Sequence, residues 1–153
     1  MAQKRTKRVA VVNCAGGSTR TDSPAPAGTG CRQALEAGER VIECGWGCLG
    51  LGDCLAACKP GAITIGQNGA AVVDREKCAG CGLCVGACPR GLIRLTEPAF
   101  NIFTRCQSEA DGPTTRKACA IGCTACGICE KNCPAGATAV IGERGVLDEA
   151  KGN

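Results

Sequence analysis

Two stretches of this chain, KCAGCGLCVGACP from Lys77 to Pro89 and GCTACGICEKNCP from Gly122 to Pro134, carry four cysteines at the same spacing and end on proline. Three thiolates two residues apart let the backbone curl round three corners of an iron–sulfur cube. The fourth follows on a short helix that points away, so it serves a second cube. Gly82 and Gly127 sit after the second cysteine of each motif, where the loop needs unusual φ/ψ. Pro89 and Pro134 end the helical turn. In a third, looser copy Pro60 falls one residue later, after Lys59.

Composition agrees with thiol chemistry and excludes most alternatives. The 153 residues include sixteen Cys, no His, one Trp, two Phe and no Tyr. An aromatic-anchored core is not expected. Disulfides are the usual reading of so many cysteines in a secreted chain, but thiols crowded this closely pair badly with one another. No signal peptide is legible: behind Lys4, Arg5, Lys7 and Arg8 the apolar run is only Val9–Val12, too short for a leader or a membrane span. A reducing, cytoplasmic setting follows. Zinc favours two separated C-x2-C knuckles over a ladder of short steps. A c-type haem needs a histidine. GWGCLG (Gly45–Gly50) satisfies G-x-G-x-x-G literally, but Cys48 lies inside it and the βαβ context is missing. Its glycines serve the cluster loop instead, and Trp46 is expected to shield a cluster. The formal charge of +4 counts every thiol as neutral; four tetrathiolate clusters would bring the folded protein to roughly −4. That charge, with three aromatics for base stacking, argues against nucleic acid.

The cysteines also expose an internal repeat. ECGWGCLGLGDCLAACKPGAI (Glu43–Ile63) aligns with ACAIGCTACGICEKNCPAGAT (Ala118–Thr138), matching Cys44 to Cys119, Cys48 to Cys123, Cys54 to Cys129 and Cys58 to Cys133, while Leu51 faces Cys126. RVAVVNC ending at Cys14 resembles FNIFTRC ending at Cys106, and GAAVVDREKC ending at Cys78 resembles RGVLDEAK ending at Lys151. The sequence reads as one and a half copies of a longer plan.

Short strands are expected at Val9–Val12, Ala62–Ile65, Ala71–Val73, Ile93–Thr96, Ile102–Thr104 and Thr138–Ile141. Helical turns are expected at Leu55–Ala57, Val85–Ala87 and Glu130–Asn132, with a longer helix starting at Arg32. Ala15–Gly30 and Glu109–Thr115 read as irregular loops. The expected class is α+β and ferredoxin-like, with tandem repeats of short strands and helices wrapped round clusters. Residues 1–97 would form the first repeat with its ferredoxin motif, and 98–153 a truncated second one, packed as one unit.

The crossing rule assigns two ligand sets. Cys78, Cys81 and Cys84 take Cys58 as fourth ligand. Cys48 and Cys54 take Cys88, and Cys31 fills the gap left at Leu51, with Cys44 as the rival. Cys123, Cys126 and Cys129 share a site. Its fourth ligand, and the partners of Cys133, are to come from Cys14, Cys44, Cys106 and Cys119, in a partition the spacing leaves open. Sixteen thiols equal four [4Fe–4S] clusters with none left over.

The order of a strand ending in Cys14, Cys31, ECGWGCLGLGDCLAACKPGAI, VVDREKCAGCGLCVGACP, a strand ending in Cys106, and KACAIGCTACGICEKNCP resembles the polyferredoxin part of the B subunit of Rnf-type ferredoxin:NAD oxidoreductases. The likeness covers nearly the whole chain and includes the gap at Leu51. It implies an iron–sulfur electron relay; with no histidine and no convincing flavin or nucleotide motif, no catalysis of the chain's own is expected. That family carries an N-terminal membrane helix; here Met1 opens a basic tail, so no membrane span is expected. A four-cluster relative of this size is also similar to the small electron-transfer subunit accompanying bacterial tungsten aldehyde oxidoreductases. That similarity implies a catalytic oxidoreductase subunit and a flavin or ferredoxin as partners. Self-association into a wire is a further expectation. The alternatives are a free ferredoxin shuttling between enzymes, and a zinc or nucleic-acid binding protein.

Overall fold

The computed structural model describes residues 7–22, 25–100, 102–148 and 150–151; Lys4 and Arg5 of the basic cluster lie outside them. In chain order the elements are β1 (Val9–Val12), α1 (Cys31–Glu36), α2 (Asp53–Ala56), β2 (Ile63–Ile65), β3 (Ala71–Val73), α3 (Leu83–Ala87), β4 (Ile93–Thr96), α4 (Gly112–Ala118), α5 (Ile128–Asn132), β5 (Thr138–Ile141) and β6 (Arg144–Leu147). The strands form three antiparallel pairs. β1 pairs with the distant β4, Val9 opposite Thr96 and Val12 opposite Ile93, while β2–β3 and β5–β6 are local hairpins.

Sulfur takes the place that aromatic rings hold in other small cores. One buried cluster combines Val9, Ala10, Val12, Ile63, Leu92 and Ile93 with Cys54, Cys78 and Cys84. A second joins Cys31 and Ala34 of α1 to Val41, Ile42 and Leu49. The apolar faces of β1 and β4 close over the thiols, and each fully buried aliphatic side chain contributes about 1.5–3 kcal/mol. α5, by contrast, buries none of its residues.

The same local plan recurs three times. α2, α3 and α5 each start after a glycine in the left-handed region, Gly52, Gly82 and Gly127. Each helix ends in a turn in which the N–H three residues after the last cysteine donates to that cysteine's carbonyl: Gly61 to Cys58, Gly91 to Cys88 and Gly136 to Cys133. The hairpins repeat too, with Asp74 N–H on Ala62 O and Asp148 N–H on Ala137 O, both at 2.7 Å.

The two halves are stitched by residues 15–20. Thr19 N–H donates to Ala118 O and Glu43 N–H to Thr19 O, so this strand-like segment lies between 41–43 and 118–120. Ser18 bridges Cys119 and Arg20 bridges Ile42, which gives order to a stretch that composition alone reads as loop.

Several elements differ from the sequence reading. The short helices begin two residues earlier than expected, at the residue after the left-handed glycine. The helix expected from Arg32 starts at Cys31 and runs only six residues, because Ala37 already closes it with an N–H to Gln33 O. Ile102–Thr104 joins no ladder; Phe103 is instead held between guanidinium groups, with Arg75 at 5.3 Å and Arg94 at 5.8 Å from its ring centre. Glu109–Thr115 is not loop throughout. Asp111 caps α4 by accepting the Thr114 N–H, Pro113 lies in its first turn, and Arg116 and Lys117 sit in its last turn against the helix dipole. β6 has no counterpart among the expected strands.

Gly80, between the first two ligands of the Lys77–Pro89 motif, has φ +68, and a Cβ there would run into the Arg8 carbonyl. Replacing it by alanine should cost about 1–3 kcal/mol through backbone strain alone. The expected outcome for Gly80→Ala is a Tm several degrees below that of the wild type, measured anaerobically by circular dichroism.

Candidate iron–sulfur sites

All sixteen thiols are unpaired, and the structure sorts twelve of them into three groups of four. Cys58, Cys78, Cys81 and Cys84 line one cavity, beneath Ala10 and Leu95. Cys31, Cys48, Cys54 and Cys88 line a second, closed by Leu49, Leu92 and Ile93. Cys31 thus stands where Leu51 leaves a gap, and its rival Cys44 does not. A third cavity is lined by Cys14, Cys44, Cys106 and Cys119, with Cys48 at its edge and Trp46, 39% exposed, at its mouth.

The third group comes from four separate pieces of chain. β1 delivers Cys14, the bridge at Ile42 leads to Cys44, the extended run after Phe103 leads to Cys106, and α4 ends at Cys119. Ser18 ties them together: its Oγ accepts the Cys44 N–H at 3.0 Å and donates to Ala118 O at 2.9 Å. The Cys119 thiol donates to Gly16 O at 3.3 Å. Arg90 pins the Cys44–Gly47 loop through both carbonyls. The four cysteines that the spacing shared out between two C-terminal sites therefore stand with one another.

Cys123, Cys126, Cys129 and Cys133 remain. Cys123 and Cys129 converge on Gly145 of β6, each with its Sγ 3.7 Å from the position of a Cβ there. Gly145 N–H donates to Cys123 Sγ at 3.3 Å, as Ala71 donates to Cys48 in the first half. Cys133 is held by the turn that also holds Cys58 and Cys88, its Sγ accepting the N–H four residues on. In those two turns the cysteine stands with the far trio and not with its own helix's trio.

The donor set suits thiolate-bound iron and sulfide. Backbone N–H groups aim at ligand sulfurs throughout: Ala10 at Cys78, Gly16 and Cys48 at Cys14, Ala62 at Cys58 and Leu92 at Cys88, all within 3.3–3.4 Å. Such bonds stabilise negative charge on sulfur and tune a cluster's potential. Zinc would draw its thiolates to about 2.3 Å from one point. Among the described residues no three Cys, Asp or Glu side chains close that tightly on a single ion, whereas a four-iron cube keeps its thiolates apart.

Burial and neighbouring thiols set how readily each group ionises. Desolvation, with Cys48, Cys31 and Cys88 alongside, pushes Cys54 up to about 12. Burial likewise raises Cys48, Cys84 and Cys119. Exposed Cys126 and half-buried Cys133 are lowered by backbone N–H donors, from Ile128 and Ala137 respectively. Cys48, Cys54, Cys84 and Cys119 therefore hold their protons more firmly than a free thiol until metal displaces them, while Cys126 and Cys133 give theirs up more easily.

Residues 71–94, which contain Cys78, Cys81, Cys84 and Cys88, match the 4Fe-4S binding domain. The chain is 36% identical over 124 residues to the B subunit of the Na(+)-translocating ferredoxin:NAD(+) oxidoreductase complex of Acetobacterium woodii. It is 35% identical over 121 residues to the B subunit of the ion-translocating oxidoreductase complex of Methanosarcina acetivorans. The chain resembles the polyferredoxin part of these B subunits. Those matches cover 80% and 79% of this chain but 37% and 46% of the relatives, so the chain spans less than half their length. A third relative, the B subunit of the proton-translocating ferredoxin:NAD(+) oxidoreductase complex of Clostridium ljungdahlii, is 40% identical over 89 residues, which are 58% of this chain and 31% of the relative. Among the described residues no helix is long and apolar enough to cross a membrane.

Cys81, Cys126 and Cys129 are exposed, while Cys31, Cys54, Cys78 and Cys84 are buried. The group of Cys31, Cys48, Cys54 and Cys88 has no exposed member and should lose iron last. When the loaded protein is treated briefly with ferricyanide and a chelator, then alkylated and mapped by mass spectrometry, Cys81, Cys126 and Cys129 are expected to be modified first and Cys54 last.

Proposed function

We propose that this chain is a non-catalytic electron-transfer subunit that relays single electrons through four [4Fe–4S] clusters. The observation that carries this reading is the sharing of single turns of chain between cysteine groups. Cys54 and Cys58, Cys84 and Cys88, Cys44 and Cys48, and Cys119 and Cys123 are each four residues apart, and the two members of each pair belong to different groups. α2 and α3 begin the first two links and irregular chain forms the other two, so neighbouring sites are held four residues apart by a covalent link.

The sites then fall in a line. Cys58/Cys78/Cys81/Cys84 adjoins Cys31/Cys48/Cys54/Cys88, which adjoins Cys14/Cys44/Cys106/Cys119, which adjoins the C-terminal trio Cys123/Cys126/Cys129. When bound, each cluster supplies one reversible one-electron couple. The chain fixes spacing, excludes water over the first two sites with β1, β4 and Leu49, and aims N–H groups at the sulfurs. The thiol left to complete the fourth site is Cys133.

The relatives act within multisubunit oxidoreductases, which supports a fixed place between a catalytic subunit and a flavin or ferredoxin partner. A tungsten aldehyde oxidoreductase is one such catalytic subunit. Residues 98–153 are read as belonging to a second repeat, and a cytoplasmic setting suits the chain's free thiols.

After anaerobic purification the chain should hold about sixteen iron and sixteen acid-labile sulfide. Zinc without sulfide would overturn the relay. Cys44→Ser and Cys119→Ser should each lose about four irons and the same electron paramagnetic resonance signal. Loss of different signals would break the third group. Cys133→Ser should also lose about four; retention of all sixteen would remove Cys133 from the fourth site.

A further inference from the structure

An open groove of about 430 Å³ runs between β1 and β3, lined by Val11 on one side, Val72 on the other, and Ile102, Phe103, Arg75 and Arg105 at its end. Val72 is 44% and Ile102 60% exposed, so the floor presents apolar surface to solvent. The rim is cationic. Arg75 and Arg105 line it, the Arg94 guanidinium lies over the same Phe103 ring as Arg75, and no carboxylate is among the lining residues.

Its place relative to the cysteines matters most. Ala10, in the β1 wall, donates its N–H to Cys78 of one group. Ala71, in the β3 wall, is hydrogen-bonded to Cys48 of the next. Arg105 is followed directly by Cys106 of the third, and lines that group's cavity too. One surface feature therefore borders three of the four cysteine groups through their own backbone.

We propose that this groove is the docking site of an acidic electron-transfer protein. Carboxylates on the partner meet Arg75 and Arg105, and an apolar contact covers Val72 and Ile102. This rests on the relay reading. The transfer is a single electron from the partner's reduced centre to the nearest oxidised cluster; the partner is oxidised by one, the chain reduced by one, and no bond is made or broken. Opposite charge at the rim steers such encounters and orients them. A second copy using the same face would set arginine against arginine, since a twofold interface matches a patch with itself.

The test is stopped-flow reduction of the cluster-loaded chain with two donors. One is an acidic two-[4Fe–4S] ferredoxin, reduced beforehand. The other is the methyl viologen radical cation, which is small and positively charged and has no use for an arginine rim. For the wild type the ferredoxin rate should fall as salt rises and the rim is screened. Arg75→Glu and Val72→Asp, neither of which lines a cysteine cavity, should each slow the ferredoxin about tenfold, and Arg75→Lys should restore most of the rate. The viologen rate and the iron content should stay unchanged. A ferredoxin rate indifferent to salt and to both variants overturns the docking site. So does an equal slowing of both donors, which would mean damage to the clusters. A wild-type chain without iron–sulfur absorption, or one reduced by neither donor, sinks the relay reading itself and the docking site with it.

Discussion

Everything in this fold answers to one covalent constraint: each short helix stops before its second cysteine, so two thiols four residues apart leave the chain in different directions and join different groups. When Cys54 faces the group with Cys31, Cys48 and Cys88, Cys58 is carried round to face Cys78, Cys81 and Cys84. α3 repeats the exchange in the opposite direction through Cys84 and Cys88. The two helices are thereby tied across each other, and the strands need only close the remaining apolar surface. This explains how a chain with three aromatic residues builds a core at all. The packing that other proteins obtain from large rings comes here from sulfur, and from whatever the sulfur holds.

The electrostatic consequence runs the other way. Buried thiols disfavour their own ionisation, and Cys54 shows how strongly. Four thiolates in one apolar pocket are tolerable only with iron between them. The backbone N–H groups on Cys14, Cys58, Cys78 and Cys88 are the protein's own contribution to that charge. They come from the turns that position Cys14, Cys58 and Cys88, and from β1 at Cys78.

Much of this was legible in the cysteine spacing, and what was not has definite physical causes. The pairing of Cys58 and Cys88 with distant trios follows from local spacing that sequence encodes directly, whereas Cys31 stood out only as the cysteine without a counterpart in the second half, and it lines the cavity with Cys48, Cys54 and Cys88. The grouping of Cys14, Cys44, Cys106 and Cys119 does not, because each lies in a different segment and only the clamp at Ser18 and Thr19 brings them together. The strand expected at Ile102–Thr104 fails for a related reason. Its counterpart β1 finds β4, but 102–104 meets no free edge, and Phe103 settles between arginines. α4 was readable in principle from Asp111, Pro113 and the closing Arg116–Lys117, but its position opposite the Ser/Thr/Pro-rich loop obscured it. β6 carries Gly145 where a strand would ordinarily hold a side chain, and that glycine is where Cys123 and Cys129 converge.

The third cysteine group has a temporal meaning as well as a spatial one. Cys78, Cys81 and Cys84 lie within seven residues, so that site can gather three of its ligands as soon as the segment is made. Cys14 and Cys119 are more than a hundred residues apart in sequence and meet only after the chain has closed its longest loop, a slow event in any fold governed by distant contacts. The site between the two halves can thus fill only once the halves have met. Iron at that position would report that contact, and a chain in which the halves had not met would leave any clusters it held unconnected.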